Sequence, residues 1–359
     1  MTGHAATSDR ETPAAERERR HRSRRRRRRR TRIRAAVRAA VVAIAGGLAA
    51  LGAGFAWETY SAYASLQRAE PMLASARAAA RDAKPADAGR ALREAHPHVR
   101  AAVSRASGPF TGIVAAVPVA GRSARGVRAG AEAAELAVRA GLGATAAAEA
   151  FPTRDGGIAS FGFVNGRIPV EAWRDAAAPL EAADELARRA LARVHAADRS
   201  LILPPLARAL SRLDEDLTEL RKATGQAASL ATVIPALAGG EGRKRYLLAF
   251  QNPAELRATG GLLGGVALLD ANAGVIEITD TLPDNDLRPL EQAPVKMPDW
   301  YVTRYERLRG MTIWQNVNME PHFPVSAPLI AGFYRATTGT EVDGVIALDP
   351  FALSAMLEA

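Results

Sequence analysis

The chain contains no cysteine, which excludes disulfides, thiol nucleophiles and thiolate metal centres together. Aromatic residues make up only 5%, so cores must be packed largely by Ala and Leu, and a base-stacking surface has little to be built from. Charge is missing altogether from Ala39 to Trp57. Catalytic signatures are missing too. There is no G-x-S-x-G, no H-E-x-x-H, no G-x-x-x-x-G-K-[ST] and no dinucleotide fingerprint. His195 and His322 stand alone, and His96 and His98 would share a face only in an extended segment. Serine or zinc hydrolase chemistry therefore has no support, and no metal site is assigned.

The uncharged run AAVVAIAGGLAALGAGFAW is long enough, at about 1.5 Å per residue, to cover roughly 28 Å as a helix, close to the ~30 Å hydrocarbon core of a bilayer. It reads as one transmembrane helix, residues 39–57. Before it stand Arg17, Arg19, Arg20, Arg22, Arg24 to Arg30, Arg32, Arg34 and Arg38, and a basic flank of this kind stays in the cytoplasm. The expected topology is a single pass in the cell membrane, with the N-terminus cytoplasmic and the bulk of the chain extracytoplasmic. Ala62-Tyr63-Ala64 fits a signal-peptide cleavage site, but the apolar run exceeds the ~7–15 residues of such a segment.

Residues 1–38 carry fifteen Arg against Asp9, Glu11, Glu16 and Glu18, a net of +11 in a chain whose total is +10. The part beyond the span is thus close to neutral. The basic pI belongs to the tail, and a nucleic-acid partner is not expected. The tail is too polar to bury a core, so it is expected to be disordered and to contact the anionic lipids of the inner leaflet.

Beyond the span, residues 58–150 are Ala- and Arg-rich and read as several helices, with bends expected at Pro71, Pro85, Pro97, Pro109 and Pro118. Leu92, Ala95, Val99 and Val103 recur at helical spacing. A helix is expected over 123–140, stopped by Gly141 and Gly143. Residues 151–240 read as a glycine-rich connector, with a short strand at 158–164, and then a helical hairpin. Its seams are Trp173, Ala176, Leu180, Ala183, Ala187, Ala190, Val194 and Ala197, and Leu206, Leu210, Leu213, Leu217, Leu220, Thr224 and Ala227. These stripes suit intramolecular packing, with an intermolecular coiled coil as the other reading. From residue 241 onward, strands are expected at 246–250, 262–270 and 275–279, the last two joined as a hairpin. An irregular stretch at 282–310 follows, then a helix at 324–336, a strand at 342–348 and a helix from Pro350. The fold class is α+β: a transmembrane helix, an α-helical stalk and an outer α/β domain, residues 241–359, which is expected to be incomplete at its C-terminal side.

Residues 252–261, Asn252-Pro253-Ala254-Glu255-Leu256-Arg257-Ala258-Thr259-Gly260-Gly261, join two of these strands and are the strongest ligand-site candidate. Arg257 offers a planar fork for phosphate or carboxylate, and Gly260 and Gly261 let backbone N–H groups approach an anion. Asn252 and Glu255 complete the candidate set. The alternative is that Arg257 pairs with Glu255 or another acid and that the glycines serve tight packing. Asp280, Asp284 and Asp286 offer oxygen ligands for Mg²⁺ or Ca²⁺, but beside Pro283 they read first as turn residues. No cofactor is assigned.

The segment from Arg245 to Ile278, with residues 316–359, resembles the bacterial envelope family known as domain of unknown function 4012. The resemblance is carried by a Q-N-N-A-E-L-R-x-T-G-G signature. It falls here on Gln251 to Gly261 with Pro253 in place of the second Asn. A more distant similarity, mainly topological, is to the LytR-CpsA-Psr family, whose membrane-anchored enzymes transfer polyprenyl-pyrophosphate-linked glycopolymers with arginines gripping the pyrophosphate. That family's Arg-Asp pair before the Asn-x-Asn step is replaced here by Gln315 and Asn316, which removes a charge clamp. The reading adopted for the chain is a binding or scaffold module of the envelope. The second resemblance implies a glycopolymer transferase, or a binder of a phosphorylated envelope glycan or its lipid carrier.

Overall fold

The computed structural model describes residues 13–118, 121–151, 153–154, 157–158, 166–198, 200, 202 and 204–358. The first helix, α1 (Pro13–Arg81), is continuous through the basic tail, the apolar run and a further 24 residues. Of the tail expected to be disordered, residues 1–12 lie outside the described residues. Residues 13–38 are helical, in line with the good helix propensity of Arg and with cheap propagation from an established helix. Ala40–Arg81 is long and apolar enough to cross a membrane, and its most apolar stretch is not buried against the rest of the chain.

The rest of α1 enters a helical bundle with α2 (Pro85–Ala106), α3 (Pro109–Ala115), α4 (Gly121–Glu149), α5 (Val170–His195) and α6 (Pro204–Leu237). Pro85, Pro109 and Pro204 each open a helix, where the missing N–H costs nothing. Pro71 and Pro97, expected as bends, lie inside α1 and α2. Each removes only one backbone bond, and packed neighbours hold the helix across it. Gly141 and Gly143, expected as stops, lie inside α4 because they are contact points. A Cβ on Gly141 would come 2.8 Å from Leu92 Cδ1, and Gly143 sits over Ala183.

The helix-spaced stripe of α2 packs as expected, with Ala95 and Val99 buried against Ala69 and Val138. His96 and His98 therefore stand on a helix, not on an extended segment. The two seams of the expected hairpin also close, with Ala176, Leu180, Ala190 and Val194 of α5 meeting Ala228, Ala231 and Leu217 of α6. Of the connector, β1 (Thr153–Arg154) and β2 (Gly157–Ile158) form a two-residue antiparallel pair. The strand expected at 158–164 falls mostly outside the described residues.

After Gly239, in the left-handed region at φ 72°, the chain becomes a sheet. Strands β3 (Lys244–Asn252), β4 (Leu262–Asn272), β5 (Val275–Leu282) and β6 (Gly344–Leu348) lie in the order β5-β4-β3-β6. β3 is antiparallel to β4 and parallel to β6, and β4 is antiparallel to β5. The β4–β5 turn docks on the end of α6, with Ala273 N–H donating to Gly239 O (3.0 Å) and Gly274 N–H to Ala238 O (2.8 Å). The irregular stretch at 282–310 is a packed cover. It contributes Leu287, Met297, and Tyr301 and Tyr305 of α7 (Asp299–Tyr305), to one core with Leu247, Leu263, Trp314, and Leu329 and Phe333 of α8 (Phe323–Thr338). α8 stops at Gly339, φ 74°, a left-handed cap. α9 (Pro350–Glu358) follows β6.

Candidate functional site

The loop at residues 252–261 leaves β3 and enters β4 at the end of the sheet opposite α6. Its backbone is built from short-range turns. Asn252 Oδ1 accepts the N–H of Ala254 (3.0 Å), Asn252 O accepts that of Glu255 (3.3 Å), and Glu255 O accepts that of Leu262 (2.9 Å). Asn252 is thus a turn-former with its side chain spent on the loop itself.

The two glycines have separate reasons. Gly260 has φ 126°, a conformation other residues rarely adopt, and its N–H closes a turn onto Arg257 O at 3.1 Å. A Cβ on Gly261 would stand 2.5 Å from the Asn252 carbonyl carbon, so only glycine fits there. Both are explained by the path of the chain, and the Gly260 N–H is already engaged.

Arg257 is different. It is half-buried, and among the described residues no carboxylate lies within ion-pair distance of it. Its Nη1 donates only to the neighbouring Leu256 carbonyl, 3.2 Å away, and its Nε is buried with no protein acceptor. Glu255, the first partner the alternative reading offered, is exposed and forms no ion pair with it.

A polar cluster that the residue-type reading did not single out holds this loop in place. Asn318, fully buried, donates from Nδ2 to Thr259 Oγ1 (2.8 Å) and to Gly261 O (2.7 Å). Gln251, 5% exposed, donates to the same Thr259 hydroxyl at 2.7 Å. Trp314 Nε1 donates to Gly264 O at 2.7 Å, fixing the start of β4. The signal was present in the sequence: Asn318 ends the Asn-Val-Asn step, and Gln251 opens the loop signature. Asn318 Oδ1 is itself buried without a protein donor.

The titratable groups with displaced pKa lie elsewhere. The Arg243 guanidinium, hydrogen-bonded to Asp270 (Nε to Oδ1, 2.9 Å), holds that carboxyl below the usual range. The Arg245 N–H and the Lys244 ammonium do the same for Asp343. Burial pushes Tyr301 up to about 12. These groups brace the sheet and its cover. Asp284 and Asp286 form a short 3₁₀ turn, and Asp280 caps the N–H of Thr281 at 2.8 Å. Among the described residues no group of three or more His, Asp or Glu stands close enough to hold a metal ion.

No curated protein and no solved structure matches the chain. Residues 241–359, the sheet with its cover and the Gln251–Gly261 signature, match the family model described as Protein of unknown function (DUF4012), and the chain carries a domain of that family.

Proposed function

We propose that the protein is a single-pass, membrane-anchored binding module of the bacterial envelope, with the helical bundle and DUF4012 domain outside the cytoplasm. In this reading Arg257 receives the phosphate of a phosphorylated envelope glycan or its lipid carrier. The observation that carries the ligand reading is Arg257 itself, a half-buried guanidinium with no carboxylate partner and a buried, unspent Nε. A cation desolvated in this way gains most from an anion presenting two oxygens. Gln251, Thr259 and Asn318 hold the loop, which supports a preorganised site rather than a mobile one.

The anchoring reading rests on the arginine run followed by the apolar part of α1, and the bundle supports it at the level of the bilayer surface. The ring of Phe110 on α3 is pressed on Gly54, inside the apolar run, and Glu58 accepts the N–H of Thr111 at 2.7 Å. α3 is therefore fixed beside the end of the span, and there Phe110, Ile113 and Val117 turn apolar side chains outward. Trp57, Tyr60 and Tyr63 are exposed at the same level, the position aromatic residues favour at a membrane interface.

Calorimetric titration of inorganic pyrophosphate into the full-length chain tests the site. Wild type should bind, Arg257→Lys should bind about tenfold or more weakly because an ammonium cannot reproduce the fork, and Arg257→Ala should not bind. Arg257→Ala should also leave stability nearly unchanged, with Tm within about 2–4 °C. A drop matching the ~3–5 kcal/mol of a broken buried ion pair, with pyrophosphate affinity per folded molecule unchanged, would end the anion-site reading.

A further inference from the structure

The helical bundle carries a half-open cavity of about 540 Å³, within the ~300–1,000 Å³ range of ligand pockets. It is bounded by α1, α2, α4, α5 and α6, with walls of residues such as Leu73, Val138, Gly141, Leu180, Leu217 and Ala227. We propose that this cavity binds the hydrocarbon chain of a lipid.

Three observations identify the occupant. The first is shape. The lining runs from Ala134 to Ala148 on α4 and from Leu213 to Ala227 on α6, in each case about 21 Å of helix at 1.5 Å per residue. The lining is thus elongated along both helices, as an extended chain requires.

The second is chemistry. The hydroxyls on the wall are already spent, Thr145 on Leu142 O (3.1 Å) and Thr224 on Leu220 O (3.0 Å). A peptide threaded here would lose its backbone hydrogen bonds, whereas a hydrocarbon has none to lose. The charged lining residues, Arg77 and Asp216, form a 2.7 Å ion pair, and both are half-exposed, so they stand at the rim. That is where the polar end of a lipid would meet water. Trp173, stacked edge-on against Phe151 with 4.7 Å between ring centroids, keeps its Nε1 buried without a protein acceptor, a single donor among apolar neighbours.

The third is supply. The wall from Leu73 to Ala80 belongs to the same helix as the apolar run and begins about 24 Å beyond Trp57 at 1.5 Å per residue. On the membrane-anchored reading proposed above, on which this point rests, the bilayer is a source of hydrocarbon chains at that distance.

Photocrosslinking tests this with the full-length chain in lipid nanodiscs and palmitate carrying a mid-chain diazirine. Adducts are expected on peptides covering 134–148 and 213–227. In Ala137→Leu/Ala144→Leu, which fills the cavity from α4, they should fall about tenfold, the effect of losing some two methylenes' worth of burial. Far-UV circular dichroism of the variant should be unchanged. If the double variant does not fold, Ala227→Leu replaces it with the same expectation. Adducts confined to residues 40–63 would overturn the proposal, as would cavity adducts undiminished in a folded variant. Pyrophosphate binding at Arg257 should be the same in all these proteins, so this test and that of the anion site fail separately.

Discussion

Asn318→Ala should loosen the Arg257 loop without unfolding the sheet. The side chain is fully buried and donates two hydrogen bonds, to Thr259 Oγ1 and Gly261 O, each worth about 1 kcal/mol net. Against this loss, Asn318 Oδ1 is buried without a protein partner, and deleting it returns on the order of 1 kcal/mol of desolvation. Thr259 also keeps its bond from Gln251. With the small void left behind, the balance is a local destabilisation of about 1–2 kcal/mol. Hydrogen exchange followed by mass spectrometry on residues 257–264 should then accelerate about 5–30-fold, while α4 and α5 exchange as in wild type. Asn318→Asp should be worse, because it loses both donated bonds and places a carboxylate in the same buried site. Wild-type exchange in Asn318→Ala, or an Asn318→Asp no worse than Asn318→Ala, would refute the claim that this amide holds the loop.

Asp270 titrates below the ordinary carboxyl range because Arg243 hydrogen-bonds its charged form. Its contribution is therefore present above about pH 4 and lost as pH falls through the lowered value. Asp270→Asn should lower stability by about 1–2 kcal/mol at neutral pH, discounted for the exposed half of Arg243, and should flatten the acid limb of a Tm-against-pH curve. Phe110→Asp with Ile113→Asp should reduce protection of α3 by lipid in nanodiscs, read as faster exchange of residues 109–117 than in wild type; identical exchange would place α3 away from the bilayer. A reporter that fluoresces only in the cytoplasm, fused after Glu58, should stay dark, and a bright fusion would reverse the orientation.

The four strands and the helices α8 and α9 of residues 241–359 were legible because their signals are local, whereas α7 fell in the stretch read as irregular. The turn of residues 271–274 between β4 and β5, for example, acts within a few residues of where it stands. The hairpin seams of α5 and α6 were legible for the same reason. What sequence reasoning misjudged was decided by neighbours distant in the chain. Gly141 is helical because Leu92 lies on it, and Pro71 and Pro97 sit in helices held by packing. The loop itself was found from its residue types, but the reason Arg257 is unspent was not visible. It required knowing that Glu255 stays exposed and that Asn318, 59 residues from Thr259, supplies the contact that fixes the turn.

The two proposed sites lie on different parts of the fold. Between the Ala227 end of the cavity and the Arg257 loop lie the last ten residues of α6 and the nine of β3. At about 1.5 Å and 3.3 Å per residue that is a path of roughly 45 Å. The β4–β5 turn, docked on the end of α6, keeps the loop on the far end of the sheet from the bundle. An ordinary membrane lipid with its chain in the cavity therefore presents its headgroup at the Arg77–Asp216 rim and leaves Arg257 free. The two binding reactions therefore probe different ligand chemistries, an apolar chain at the cavity and a phosphate at the loop. With palmitate and inorganic pyrophosphate as separate probes the sites should bind independently, because two sites couple only when each ligand biases a shared two-state element. Measured coupling between these probes would point to a shared element among the contacts joining bundle and sheet, such as those of Ala238 and Gly239 with the β4–β5 turn and of Tyr246 Oη with Leu237 O.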